Sequence, residues 1–388
     1  LQRQDGKKLN IRALVFCALI MTATAASDAL RGVFLPLFGE RFELSESRSS
    51  MIIMFSYVGN LLFLMVGGRL SDRLPRKRFL AGLTVLWAAA LALHVFTENY
   101  YVLLVVIMFT MGGSTMISTS VNLITPLLFA SPAFFVNFFN FCQGAGITAS
   151  QNIGGRFAGS MRSWHLANLI ILLMAAAALV LLFTLKLPEE GREAPKRAPY
   201  REIFRNRMTV PLVLVTGCYF VAEHGLQNWL VSYGSSELGL EVSRAAFFLS
   251  LFFGALTVGR LAFAPLVQKL GIRRSLLIFP ISAAVLFAAG IILKGSGLWV
   301  LGVSGFAFSI IYPTMVLFIS SCYDSSVSGS ATGLVLSIAT LFDIGFNALF
   351  GRAVESFGYA RSILLLPAAM VLFAAGMAGA VRSAKNKR

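Results

Sequence analysis

Gly67-Gly68-Arg69-Leu70-Ser71-Asp72-Arg73-Leu74-Pro75-Arg76-Lys77-Arg78 stands between two long apolar runs, and its reading decides the fold. It packs small residues, one carboxylate and a basic cluster into a single short turn. The glycines allow two helices to approach closely. Asp72 can cap or bridge to a neighbouring helix, and the Arg/Lys group belongs on the cytoplasmic side of a membrane.

The surroundings agree with a membrane reading. Of 388 residues, 57% are hydrophobic and only 13% charged, with mean hydropathy +0.77. A soluble domain has no interior for that much apolar surface, so a polytopic membrane protein is expected. The net charge of +16 does not imply nucleic-acid binding, because the basic residues sit in short loops and tails beside apolar spans. Cys17, Cys142, Cys218 and Cys322 fall inside apolar runs without motif spacing, which indicates neither disulfides nor a metal site. The polar amino end (Gln2 to Lys8) and a first apolar run too long for an h-region predict no cleaved signal peptide.

Twelve spans are expected. Six lie near Asn10 to Phe38, Ser49 to Leu70, Phe79 to Phe96, Tyr100 to Phe129, Phe134 to Gly159 and Leu166 to Leu185, with a mixed-charge turn from Glu40 to Arg48. The stretch Lys186 to Arg207, rich in Pro, Glu and Arg, reads as a linker. Its Tyr200 to Asn206 part suits a short amphipathic helix on the membrane surface. Six more spans follow near Val210 to Tyr233, Ala245 to Val267, Ser275 to Leu293, Leu298 to Ser321, Gly329 to Phe350 and Ala360 to Val381. The expected domains are an N-terminal six-helix bundle (1–187), a cytoplasmic linker (188–208) and a C-terminal six-helix bundle (209–388). Lys and Arg cluster in both tails, after span two, in the linker and after span eight (Lys269, Arg273, Arg274), which places both termini in the cytoplasm.

The halves repeat. Asp72-Arg73-Leu74-Pro75-Arg76-Lys77 has a faded copy in Gln268-Lys269-Leu270-Gly271-Ile272-Arg273, and Gly155-Arg156 matches Gly351-Arg352 at the same offset.

Ionisable residues within spans are costly and by default face a cavity or a partner. The first span carries Asp28, with Arg31 on nearly the same face. The seventh carries Glu223-His224 and then Asn228-Trp229. The eleventh has Asp343 and Asn347 four apart. A carboxylate shielded from water can exchange its charge for a proton, so Asp28, Glu223 and Asp343 are the candidate proton-coupling residues. A structural alternative for Asp28 is a neutral pair with Arg31 that holds the bundle together. Amides present donors and acceptors together and suit hydroxyl-rich ligands. Ser118, Asn122, Asn137, Asn140 and Gln143, with Arg31, His224, Asn228, Trp229, Tyr312 and Asn347, are the candidate substrate-binding residues. Trp229 would stack on an apolar sugar face, and Tyr312-Pro313 interrupts span ten. The bland alternative for each amide is glue between helices.

The stretch from Gly67 to Arg78 resembles the loop between the second and third helices of the major facilitator superfamily, with Pro75 where that pattern has glycine. That resemblance covers essentially the whole chain. It implies a conformational gate motif at Gly68, Asp72, Arg73 and Arg76 and two pseudo-symmetric six-helix bundles around a central cavity, an all-α membrane protein that acts as a monomer. Ser27-Asp28 leading to Phe34-Leu35-Pro36-Leu37-Phe38, the run Gly305 to Thr314, and Tyr219 to Gly225 with Trp229 are similar to the fucose permease-like sugar transporter branch. Members of that branch couple sugar uptake to protons through acids in the first and fourth helices. The resemblance therefore implies a proton-linked Asp28. Tyr101 to Pro132 contains no acid, however, with Ser118 near the expected place, so either Glu223 or Asp343 takes that role or the coupling ion differs.

The expectation is a secondary active transporter of the cell membrane, carrying a small polar solute such as a sugar with protons, and needing no cofactor. An efflux antiporter of drugs or amphipathic metabolites is the alternative, since Gly144-Ala145-Gly146 to Gly154-Gly155 faintly resembles the antiporter glycine motif. An enzyme is not expected. With His94, His165 and His224 as the only histidines there is no His-Glu-x-x-His, and no Gly-Lys-Ser/Thr phosphate loop is present. A non-transporting receptor of the same fold would not need its titrating acids.

Overall fold

The computed structural model describes residues 10–187, 200–324 and 327–385, leaving aside the side chains at positions 68, 69, 72, 133, 200 and 385. Among the described residues every regular element is helical. The first half comprises α1 (Ile11–Arg41), α2 (Glu46–Arg73), α3 (Arg76–Phe96), α4 (Tyr100–Leu128), α5 (Pro132–Phe157) and α6 (Met161–Thr184). The short α7 (Tyr200–Arg205) matches the expected surface helix. Then come α8 (Thr209–Ser236), α9 (Val242–Ala262), α10 (Ala264–Leu270), α11 (Ile272–Ile292), α12 (Lys294–Phe308), α13 (Ile311–Ser321), α14 (Ser328–Phe357), α15 (Tyr359–Ser362) and α16 (Leu365–Lys385).

Eleven helical segments are long and apolar enough to cross a bilayer, counting α12 with α13 and α15 with α16 as one each. The remaining long helix, α5, is diluted by Asn137, Asn140, Gln143, Gln151 and Asn152. Large apolar side chains lie on the outside of the bundles, among them Leu169, Ile170 and Leu173 of α6 and Ile278, Ile281 and Val285 of α11. In water such a surface would aggregate; against lipid it is satisfied.

The described residues form two compact units, Leu1–Glu43 with Phe55–Ala194 and Leu44–Met54 with Pro195–Arg388. In the first, α1 is the central helix and packs on α4, α5 and α6, while α3 pairs with α4 and α6. In the second, α8 packs on α9, α14 and α16, while α11 pairs with α12 and α16. The first span packs on the fifth and sixth, and the third on the fourth and sixth, in both units. The first unit buries Phe16, Phe34, Phe38 and Trp87; the second buries Tyr219, Trp229, Phe252 and Phe308.

Helix ends follow local chemistry. Asn10 caps α1 through Ala13 N–H, and Asn99 caps α4 through Tyr101 and Val102 N–H. A Cβ on Gly67 would fall 2.8 Å from the Met116 sulfur, so the glycine admits α4 as the sequence suggested. The other gate residues are less accessible: Gly68 and Asp72 lie outside the described side chains, Arg73 is exposed, and Arg76 opens α3. Residues 188–199 of the linker also fall outside the described residues.

Three spans depart from the expected bounds. Span eight stops at Ala262 and resumes as α10, because Pro265 has no N–H for the Leu261 carbonyl. Span ten breaks at Ser309–Ile310, where Pro313 leaves the Ser309 carbonyl without its helical donor. Span eleven runs past Gly351-Arg352 to Phe357 and ends only where Gly358 takes φ +78°. The turn expected as far as Arg48 is shorter too. α2 begins at Glu46, and its first turn packs with the second unit. Ser47 donates from its backbone N–H (2.9 Å) and its hydroxyl (2.5 Å) to Glu355, and Tyr359 donates to Glu46 at 2.6 Å.

Candidate functional site

In the first unit a polar ladder joins α1 to α4. The two helices run antiparallel, so ascending residues of one meet descending residues of the other. Thr24 shares a hydrogen bond with Ser118 at 3.2 Å. The Ser114 hydroxyl lies 2.7 and 2.8 Å from the two Asp28 carboxylate oxygens. Arg31 donates to the Met111 sulfur at 3.4 Å and to Ser56 of α2 at 2.6 Å, with its guanidinium 5.0 Å from the centre of the Tyr57 ring. From α5, Gln143 donates to Ser118 at 3.0 Å and so joins the lower rung.

Arg31 is almost wholly buried (2% exposed) and Asp28 is partly buried. Buried charges persist only with hydrogen bonds and opposite charge nearby. Here a hydroxyl holds the carboxylate, and a hydroxyl, a thioether and an aromatic face hold the guanidinium. Asp28 and Arg31 also line one small cavity with Ser27, His94, Thr110 and Trp164. It has room for roughly one water molecule.

The second unit holds a different arrangement. His224 Nδ1 lies 2.9 Å from Asp343 Oδ2, joining α8 to α14. Asp343 is buried, and its Oδ1 has no hydrogen-bond partner among the described residues. The His224 ring stacks on Phe220 at 4.9 Å, and Tyr312 lies 6.3 Å from both Phe220 and Tyr219. Glu223 is buried on the same helix.

Two expectations need correction here. Trp229 offers no open face for a sugar: it is fully buried, packs 4.6 Å from Phe350, and donates its indole N–H to Asn347 Oδ1 at 2.8 Å. Asn347 in turn donates to the Asp343 carbonyl at 2.8 Å and is equally buried. The indole N–H needs an acceptor once buried, and the amide one helix away supplies it. Asn228 is also fully buried. Of the remaining candidates, Asn137 is exposed, whereas Asn122 and Asn140 are partly buried, and Asn122 Oδ1 has no partner among the described residues.

Several residues were missed. Ser114 and Thr110 lie four and eight residues before the candidate Ser118, so a polar stripe along one face of α4 was there to be seen. His94 gave no such signal, since it stands between the apolar Leu93 and Val95, and Trp164 carried no spacing that tied it to α1 or α3. Among the described residues, no cluster of three or more His, Cys, Asp or Glu could hold a metal ion.

Comparison with known proteins adds three findings. A family model described as Major Facilitator Superfamily matches residues 16–341. The protein TsgA homolog of Erwinia tasmaniensis is 22% identical over 345 residues, 87% of this chain and 86% of that protein. Among solved structures, the chain is similar to a bacterial homologue of the human lysosomal transporter Spinster, with TM-score 0.83, 15% identity and 99% of both chains covered. A variant of the E. coli fucose:proton symporter gives TM-score 0.68 and 18% identity, covering 96% of this chain and 98% of the other.

Proposed function

The chain belongs to the Major Facilitator Superfamily, a family of multi-pass membrane transporters and not of enzymes, and from that premise we propose that it moves a sugar or similar small polar solute by proton symport. The observation that carries this reading is Asp28, a carboxylate inside an apolar bundle, held by the Ser114 hydroxyl beside a buried Arg31. A group so placed alternates between a proton and its polar partners, which is what coupling to a proton gradient requires. Glu223 and Asp343 are the corresponding acids of the second half. The amide and hydroxyl groups of Ser118, Asn122, Asn137, Asn140 and Gln143, with Arg31, His224 and Tyr312, provide polar partners for hydroxyls. The fold likeness to a fucose:proton symporter supports both the solute class and the coupling ion.

The transport cycle is alternating access between bundles 1–187 and 209–388, joined by the linker 188–208. In this reading the protein works as a monomer in the cell membrane, and its basic loops favour cytoplasmic termini. The test is the pH outside lightly buffered proteoliposomes when hexoses, pentoses or cationic drugs are added. Alkalinisation with one sugar, lost in Asp28→Asn, supports symport. Proton release from acid-loaded vesicles on adding a drug, with no response to sugars, overturns it in favour of efflux.

A further inference from the structure

His94 takes no part in the ladder, yet it is one of the most buried polar side chains of the first unit (1% exposed). It ends a stretch of α3 whose nearby residues are apolar. Its Nε2 lies 3.4 Å from Thr110 Oγ1, and Thr110 places its own hydroxyl 3.1 Å from the Ile107 carbonyl. A hydroxyl has one hydrogen. Once Thr110 gives it to Ile107, it can only accept from the imidazole, so Nε2 carries the ring hydrogen and Nδ1 carries a bare lone pair. Nδ1 is buried and has no hydrogen-bond partner among the described residues. A buried acceptor without a donor is unfavourable; a water beside it would satisfy it, and the lone pair is the ring's site for a further proton.

The place from which such a proton would come is the cavity that His94 shares with Asp28. We infer that Asp28 and His94 form one proton-binding unit, holding a single proton either on the Asp28 carboxylate or on His94 Nδ1. Arg31, in the same cavity, supplies a fixed positive charge. With the proton on Asp28, the acid and the imidazole are both neutral. With it on His94, the O–H bond of Asp28 is broken, an N–H bond is formed, and a carboxylate faces an imidazolium. The net charge of the cavity is the same in both forms, and the cavity has room for roughly one water to carry the transfer. Few other charges bear on His94 among the described residues. His165 neighbours Trp164 on α6, and the Arg41–Glu98 ion pair (2.8 Å) lies just past the end of α3. α4 contributes Thr110 and Met111, neither of which titrates. That the bound proton is transported rests on the symport reading; that it binds here does not.

The structure contains its own reporter. The Trp164 ring meets His94 edge-on, with centroids 5.0 Å apart and planes at 80°, and an imidazolium at that distance quenches indole emission. The full-length protein, all tryptophans retained, is titrated from about pH 5 to about pH 9 beside His94→Gln and Asp28→Asn, with no solute present. The expected result is a reversible emission transition that is missing in His94→Gln and displaced by about one pH unit or more in Asp28→Asn. A transition that survives His94→Gln overturns the inference, and so does a His94-dependent transition that Asp28→Asn leaves in place.

Should His94→Gln fail to fold, histidine-selective NMR of the native chain serves instead. His165→Gln and His224→Gln assign the His94 signal by elimination. A His94 signal that titrates, and moves with Asp28→Asn, supports the unit; one that stays constant across the range overturns it. The sugar-driven pH assay on the same preparations separates the two ideas. A transition without sugar-driven proton movement sustains the binding unit and removes symport. Sugar-driven movement without a transition does the reverse.

Discussion

Lys77 and Arg273 do equivalent jobs in the two halves of the chain. Each stands in the first turn of the third span of its half and donates to carbonyls at the end of the sixth. Lys77 Nζ reaches Phe183 O at 2.8 Å and Leu185 O at 2.7 Å, and Arg273 Nη2 reaches Ala384 O at 3.3 Å. The last carbonyls of a helix have no donors within it and carry its negative dipole end, so a cation there both satisfies and neutralises. The basic cluster after the second span therefore closes a helix end.

Lys77→Met should lower the stability of the detergent-solubilised protein by about 1 kcal/mol, and Lys77→Arg should restore most of it. Arg273→Met should cost less, because it loses one longer bond. Thermal unfolding followed by circular dichroism decides this, and an unchanged Tm for Lys77→Met would refute the capping role.

Asp28→Asn should cut sugar-driven alkalinisation at least about tenfold, while exchange of labelled sugar across vesicles of equal concentration persists. The amide imitates the neutral acid but cannot release a proton. Ser114→Ala removes a bond to a charged group worth about 1.5–3 kcal/mol, so proton-coupled uptake should fall by about tenfold or more, and Ser114→Thr should retain it. Equal uptake by Ser114→Ala and the parent would separate Ser114 from the coupling acid.

His224→Ala should destabilise the second unit by about 2–3 kcal/mol, because it strands the buried Asp343 carboxylate. Asp343→Asn, which preserves shape and a hydrogen bond to the ring, should cost clearly less. If the two variants lose Tm equally, the pair contributes through packing alone.

Gly305→Ala should be far more damaging than Gly333→Ala. A Cβ at Gly305 would fall 2.1 Å from the Phe252 carbonyl oxygen, so α12 and α9 would have to separate, whereas a Cβ at Gly333 meets nothing within 4 Å. The expected loss at Gly305 is about 1–3 kcal/mol, against a neutral or slightly favourable change at Gly333. Yield and Tm of the two purified variants provide the comparison.

Much of the fold was legible because lipid imposes one simple rule, that long apolar helices satisfy their own backbones. The spans, the interruption before Pro313 and the short helix at Tyr200 follow from hydropathy and proline chemistry alone. Asp28 was legible too, since a carboxylate inside such a span always needs a reason. Its partner was not, because Ser114 looks like any small helix residue until α1 is laid beside it. Trp229 misled for the opposite reason. An aromatic ring near amides reads as a sugar platform, and only three-dimensional packing shows that Asn347 and Phe350 already occupy it. The attachment of the first turn of α2 to Glu355 and Tyr359 depends on residues some three hundred positions away, which no local pattern encodes.

The Ser114 hydroxyl has three acceptors within reach: the two Asp28 oxygens and, at 2.9 Å, the Met111 carbonyl. It owns one hydrogen. While Asp28 is ionised, that hydrogen points to the carboxylate. When Asp28 is protonated, its own O–H can turn to the serine oxygen, and the serine hydrogen rotates to Met111. In the proposed symport, loading at this rung involves a torsional flip of one hydroxyl. The event would register as a change in carboxyl and amide stretching frequencies.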